Sequence, residues 1–184
     1  MASSLAARMA ASCLRLWGRS SSGRTAASPT PVTRMQRMSA QHRPLFDDAP
    51  APAAARDTRY DTILAWPAFE RWFERIHAAK LVALDTETTS LDEMKAQIVG
   101  ISFSVTPGEA VYLPLRHAGP DAPAQLRYDE VLARLKPWLE DASRAKLGQH
   151  VKYDRHVFAN HGIEVQGYAH DTMLQSYVLE VHKP

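Results

Sequence analysis

The chain has 184 residues, 23% of them charged, a formal net charge of +2 and one cysteine, Cys13. That is enough for one domain with a real core. A single cysteine excludes an intrachain disulfide framework, and no apolar run approaches the roughly 18 residues needed to span a membrane. The charge is uneven. Residues 1–56 carry eight arginines against Asp47 and Asp48, net +6, whereas 57–184 carry fourteen bases against eighteen acids, net −4. Overall charge is therefore no argument for nucleic-acid binding, which would need a local groove.

Residues 1–56 are rich in Ala, Ser, Arg and Pro and cannot bury enough surface to offset their ordering entropy, so disorder is expected. An Arg-rich, Ser-rich, acid-poor start also describes an organelle transit peptide; the alternative is an extension without function. From Tyr60 the pattern turns globular. A short strand is expected at 62–64. Pro67 suits a first helical turn, and Trp66, Phe69, Phe73 and Ile76 recur at helical spacing. Strands follow at 81–86, 98–105 and 110–115, the last two joined by Pro107-Gly108, and these three make an antiparallel meander.

The stretch 126–140 reads as a helix, with Tyr128, Val131, Leu132, Leu135, Trp138 and Leu139 along one face. A strand at 145–149, a helix at 152–160 stopped by His161-Gly162, and an extended 165–169 come next. Asp171 is placed to cap a helix over 172–180. The order β-α-β-β-β-α-β-α-(β)-α implies an α/β fold, a mixed β-sheet flanked by helices.

The stretch 81–91, LVALDTETTSL, says most about chemistry. An apolar run suited to the centre of a sheet ends in Asp85 and Glu87, spaced i and i+2. In a strand these share one face. Carboxylates that close raise each other's pKa unless a cation lies between them, and hard oxygen ligands point to Mg²⁺ or Mn²⁺. The second stretch is 148–154, GQHVKYD, where a strand enters a helix and Asp154 falls in its first turns. A helix crossing the end of the first carboxylate strand brings Asp154 towards Asp85 and Glu87. The bland alternatives are a solvated turn for the Asp-x-Glu pair and simple complementation of the helix dipole for Asp154.

Together these stretches resemble the first two exonuclease motifs of the DEDD superfamily, and within it the 3′–5′ proofreading domain of the family A bacterial DNA polymerases. The resemblance runs from Tyr60 to Pro184 and includes 98–103, 135–140, Gly162-Ile163 and 170–174. It implies a ribonuclease-H-like fold and 3′–5′ exonuclease activity on DNA by two-metal catalysis. It divides the chain into an extension, 1–56, and an exonuclease domain, 57–184. By the same resemblance Asp85 bridges two Mg²⁺ or Mn²⁺ ions, Glu87 binds the ion holding the attacking water, and Asp154 holds the other. Thr88 and Leu91 contact the terminal nucleotide, with Leu91 wedged against its base; for Leu91 the alternative is core packing. Gln149, His150 and Tyr153 face the single strand, and Lys152 and Arg155 offer phosphate contacts; for both the alternative is a solvated helix face, which suits Arg155 better.

The family implies a single-stranded DNA 3′ end as partner, a polymerase domain linked in cis, and a bacterial cytoplasmic location, with organelle targeting by the Arg-rich segment as the alternative. Two departures stand out. The family has Asn where His150 stands, and its third motif, Tyr-x-x-x-Asp, does not occur before Pro184. An exonuclease domain truncated at its C-terminus is therefore expected. The competing reading is a catalytically weak module that binds single-stranded DNA or a partner. The eight histidines match no zinc-ligand spacing.

Overall fold

Alternation in the central strands decides which side of the sheet is core. A computed structural model describes residues 58–179; the extension expected over 1–56 lies outside the described residues, as does 180–184. In chain order the elements are β1 (Arg59–Thr62), α1 (Trp66–Ala78), β2 (Val82–Thr88), β3 (Ile98–Thr106), β4 (Glu109–Pro114), α2 (Tyr128–Leu139), β5 (Lys146–Gly148), α3 (Val151–Ala159), β6 (Tyr168–Asp171) and α4 (Thr172–Leu179). They form one six-stranded sheet in the order β1-β4-β3-β2-β5-β6. β2, β3 and β4 make the expected antiparallel meander. β1 joins β4 in parallel, and β5 and β6 extend the other side in parallel. This is the mixed ribonuclease-H-like sheet that the resemblance implies.

One face carries Leu84, Ile101, Phe103, Val111 and Leu113, all buried. Against it pack Phe69, Trp72, Phe73 and Ile76 of α1 and Val131, Leu132, Leu135, Trp138 and Leu139 of α2. Phe103 meets Trp138 edge to face at 6.3 Å, and truncating either to Ala should cost about 3–5 kcal/mol. The opposite face of the same strands presents Asp85, Glu87, Ser102 and Tyr112, so the pleat that builds the core also delivers the carboxylates to the other side.

Boundaries differ from expectation at both edges of the sheet, where β6 is Tyr168–Asp171 rather than 165–169. The first strand is Arg59–Thr62 rather than 62–64. Ile63 still donates its N–H to the Tyr112 carbonyl at 2.8 Å and is buried, but Leu64 is 43% exposed as the chain turns towards α1. An edge strand with one neighbour has a weak alternation, which blurs its limits. The Pro107-Gly108 turn closes as expected, with Gly108 at φ 92°.

Candidate active site

β2 outlasts its neighbour β5, and that mismatch builds the site. Their parallel pairing covers only Val82 and Ala83. Further along, the backbone donors on that edge of β2 have no strand beside them. α3 begins where β5 stops and fills the gap: Asp154 Oδ1 accepts the Thr86 N–H at 3.2 Å and the Thr86 hydroxyl at 2.5 Å. Asp154 is thereby fixed beside the Asp85–Glu87 strand end and is 2% exposed.

The entry into α3 is equally determined. His150 takes the N-cap with φ 61° and ψ 48°, in the left-handed region. Asn, Asp and His are the side chains that tolerate this conformation best. His at this position therefore holds the left-handed turn that starts α3. Asp171, at the end of β6, accepts from His150 N at 3.1 Å, Val151 N at 2.9 Å, Met173 N at 3.0 Å and Leu174 N at 3.3 Å. One carboxylate thus caps α4, as expected, and ties down the start of α3 as well.

A cleft of about 720 Å³ gathers Asp85, Glu87, Thr88, Leu91, Gln149, His150, Tyr153 and Asp154, together with Thr86, Thr89, Ser90 and Met173. Of the residues singled out in the sequence for metal or substrate, Lys152 and Arg155 lie elsewhere. Both are exposed on the far side of α3 and line a second groove with His156 and His170. Inside the cleft the Tyr153 hydroxyl bonds Thr88 Oγ1 and the Ser90 carbonyl, both at 2.5 Å, and Thr88 Oγ1 also reaches that carbonyl at 3.0 Å. This triangle fixes the turn after β2 and holds Leu91 outward, 94% exposed. Core packing is thus not what Leu91 does.

The charges are under stress. Burial, reinforced by Glu87, pushes the Asp85 carboxyl up to about 7. Asp154 is pushed up to about 8 by burial and then by the Asp85 charge, while the Thr86 hydrogen bonds pull the other way. Burial also raises Glu87, opposed by His117. Among the described residues, neither Asp85 nor Glu87 receives a hydrogen bond from the protein, so their oxygens are open to a cation. Such a donor set, all carboxylate oxygen, fits hard divalent ions. No group of three or more His, Cys, Asp or Glu side chains among the described residues is already gathered as a metal cage; Asp154 is occupied by Thr86.

Several contributors carry no sequence signal of their own. Thr86 points away from Asp85 and Glu87 yet holds Asp154. Tyr168, on β6, has a buried hydroxyl without a hydrogen-bond partner among the described residues, and burial with the Asp154 and Asp85 charges raises its pKa well above the ordinary value. Nothing in the spacing of Tyr168 marks it, because it reaches the site only through the parallel β5–β6 pairing.

A family model described as 3′–5′ exonuclease matches residues 60–183. DNA polymerase I of Pseudomonas aeruginosa is 48% identical over 135 residues, which cover 72% of this chain and 15% of that protein. DNA polymerase I of Rhizobium leguminosarum is 40% identical over 138 residues, 66% of this chain and 14% of the relative. The chain therefore spans about one seventh of the curated relatives it matches. Among solved structures, the POL domain of Pol1 from M. smegmatis in complex with DNA primer-template and dNTP superposes with a TM-score of 0.50 at 19% identity, covering 65% of this chain and 19% of that one. That likeness bears on the fold alone. The family match spans the carboxylate strand, the cleft and α3, and on it the chain belongs to the 3′–5′ exonuclease family.

Proposed function

We propose that the cleft removes nucleotides from DNA 3′ ends, with Asp85, Glu87 and Asp154 holding two Mg²⁺ or Mn²⁺ ions. The observation that carries this is the carboxylate trio, Asp154 buried and Asp85 and Glu87 half-buried, whose raised pKa values mark negative charge awaiting a counter-charge. When bound, the ions activate a water and stabilise the departing 3′ oxygen. The protein's own residues do the rest. Asp85 and Glu87 project from a rigid strand, Thr86 fixes Asp154, and the Tyr153–Thr88–Ser90 triangle presents Leu91 to the terminal base. Gln149 and His150, both exposed at the mouth, face the strand that enters. Lys152 and Arg155 lie across α3 and would meet phosphates beyond the cleft.

Residues 57–184 form the exonuclease unit in this reading, with residues 1–56 as an extension to it. The relatives suggest a proofreading role in a polymerase I, with a polymerase domain in cis and a bacterial cytoplasmic setting. No described helix is long and apolar enough to cross a membrane.

A second reading, a binding module of low activity, is favoured by one observation: the three carboxylates are not gathered for metal, and Asp154 is held by Thr86. The two separate in an assay on 5′-labelled single-stranded DNA with Mg²⁺. Exonuclease chemistry yields a ladder shortened from the 3′ end by wild type and none by Asp85→Ala. Equal, background rates from both would leave only the binding module.

A further inference from the structure

β4 and the loop after it carry a tyrosine–histidine pair, on the sheet face of Asp85 and Glu87, that the carboxylate chemistry above does not use. Tyr112 is 1% exposed, and its hydroxyl lies 2.5 Å from His117 Nε2. The rings meet edge to face with centroids 5.8 Å apart. His117 is itself clamped: Gln125 Oε1 accepts the His117 N–H at 2.7 Å, and Gln125 Nε2 donates to the His117 carbonyl at 3.0 Å. A loop histidine held by both backbone groups, with its ring on a buried phenol, is a built arrangement.

Strand register says where the phenol points. Glu87 faces Gly100 across β2 and β3. A Cβ on Gly100 would stand 2.0 Å from the Tyr112 hydroxyl oxygen, so this glycine is the space the phenol occupies. Cross-strand Cβ positions lie about 4.5–5.5 Å apart. The phenol oxygen therefore sits on the Glu87 side of the sheet, within reach of its carboxylate across one water. The next cross-strand row repeats the link: Asp85 faces Ser102, and Ser102 faces Tyr112. The Ser102 hydroxyl is fully buried without a hydrogen-bond partner among the described residues.

We propose that Tyr112 and His117 are positioning residues for Glu87: His117 Nε2–H donates to the Tyr112 oxygen, leaving the Tyr112 O–H to orient the Glu87 carboxylate towards its ion. The proposal rests on the exonuclease reading of Asp85 and Glu87 and extends it to a supporting layer. Groups that orient a metal's ligands typically change affinity about 10- to 100-fold when removed.

The test follows Mg²⁺ binding by NMR in ¹⁵N-histidine-labelled protein, without substrate. Wild type should show His117 as the Nε2–H tautomer, with its resonance moving on Mg²⁺ addition. Tyr112→Phe should weaken Mg²⁺ about tenfold, and Gly100→Ala, which evicts the phenol, should do likewise. In a Glu87→Gln background, Tyr112→Phe should cause no further loss, a coupling that a merely structural role would not produce. Wild-type affinity in Tyr112→Phe, or an equal loss with and without Glu87, overturns the positioning role and leaves the carboxylate site standing. No Mg²⁺ binding by wild type, or undiminished binding by Asp85→Ala, overturns the site and this inference with it.

Discussion

Replacing Asp154 with Asn should make the metal-free protein more stable while disabling it. The Asp154 carboxyl is 2% exposed and stands at about 8 instead of 3.8. Between those values the folded chain keeps a proton that the unfolded chain has lost. The folded state then binds more protons, so stability falls as pH rises from about 4 to about 8. About four pH units at 1.36 kcal/mol each bound the penalty near 5 kcal/mol at pH 8. Relaxation and water entry around the charge reduce the measurable part to roughly 2–3 kcal/mol. Asn keeps an acceptor for both Thr86 donors and cannot ionise. At pH 5 the folded carboxyl is still protonated, so the gain there is only about 1 kcal/mol. Urea denaturation in chelator at pH 5 and pH 8 reads this directly. Wild type should weaken between the two, and Asp154→Asn should flatten most of that slope; Asp85, at about 7, retains the remainder. A variant less stable than wild type at pH 8, or one that gains equally at both pH values, refutes the reasoning.

Leu91→Ala should leave stability within about 0.5 kcal/mol, because the side chain is 94% exposed. The same change should weaken single-stranded DNA binding by about 1–2 kcal/mol, roughly 5- to 30-fold, if Leu91 packs on a base; fluorescence anisotropy with a labelled oligonucleotide checks this. Gly167→Ala should destabilise by about 2–4 kcal/mol, because Gly167 sits at φ 74° and an added Cβ would stand 2.4 Å from the Arg144 carbonyl oxygen; a loss below 0.5 kcal/mol in urea denaturation would show that the 141–146 loop gives way. Added Mg²⁺ should raise the melting temperature more at pH 8 than at pH 5, since the ion competes with protons for Asp85 and Asp154, and differential scanning calorimetry reads the difference.

Much of the architecture was legible because the hydrophobic pattern is strong where the sheet is central. The element order, the meander and the shared face of Asp85 and Glu87 all follow from period-2 and period-3.6 reading. What escaped depends on tertiary pairing. Thr86 holds Asp154 only because β5 ends early. Ser102 and Ser104 alternate with Ile101, Phe103 and Val105 like a solvated face, yet both are buried. Lys152 points away from the cleft because two residues from Asp154 on a helix is about 200° around the axis, the opposite side. The outward Leu91 follows from a hydroxyl triangle that spans 63 residues, which no local pattern encodes. Tyr112 and His117 look like a strand aromatic and a loop histidine until register lays one over Gly100.

The central claim, that Asp85, Glu87 and Asp154 form a two-cation site, is tested most directly by calorimetric titration of the purified chain with Mn²⁺ and Mg²⁺, using Asp85→Ala as control. Two ions bound by wild type, with binding lost in the variant, is the predicted result. One weak ion, none, or undiminished binding by Asp85→Ala would contradict it.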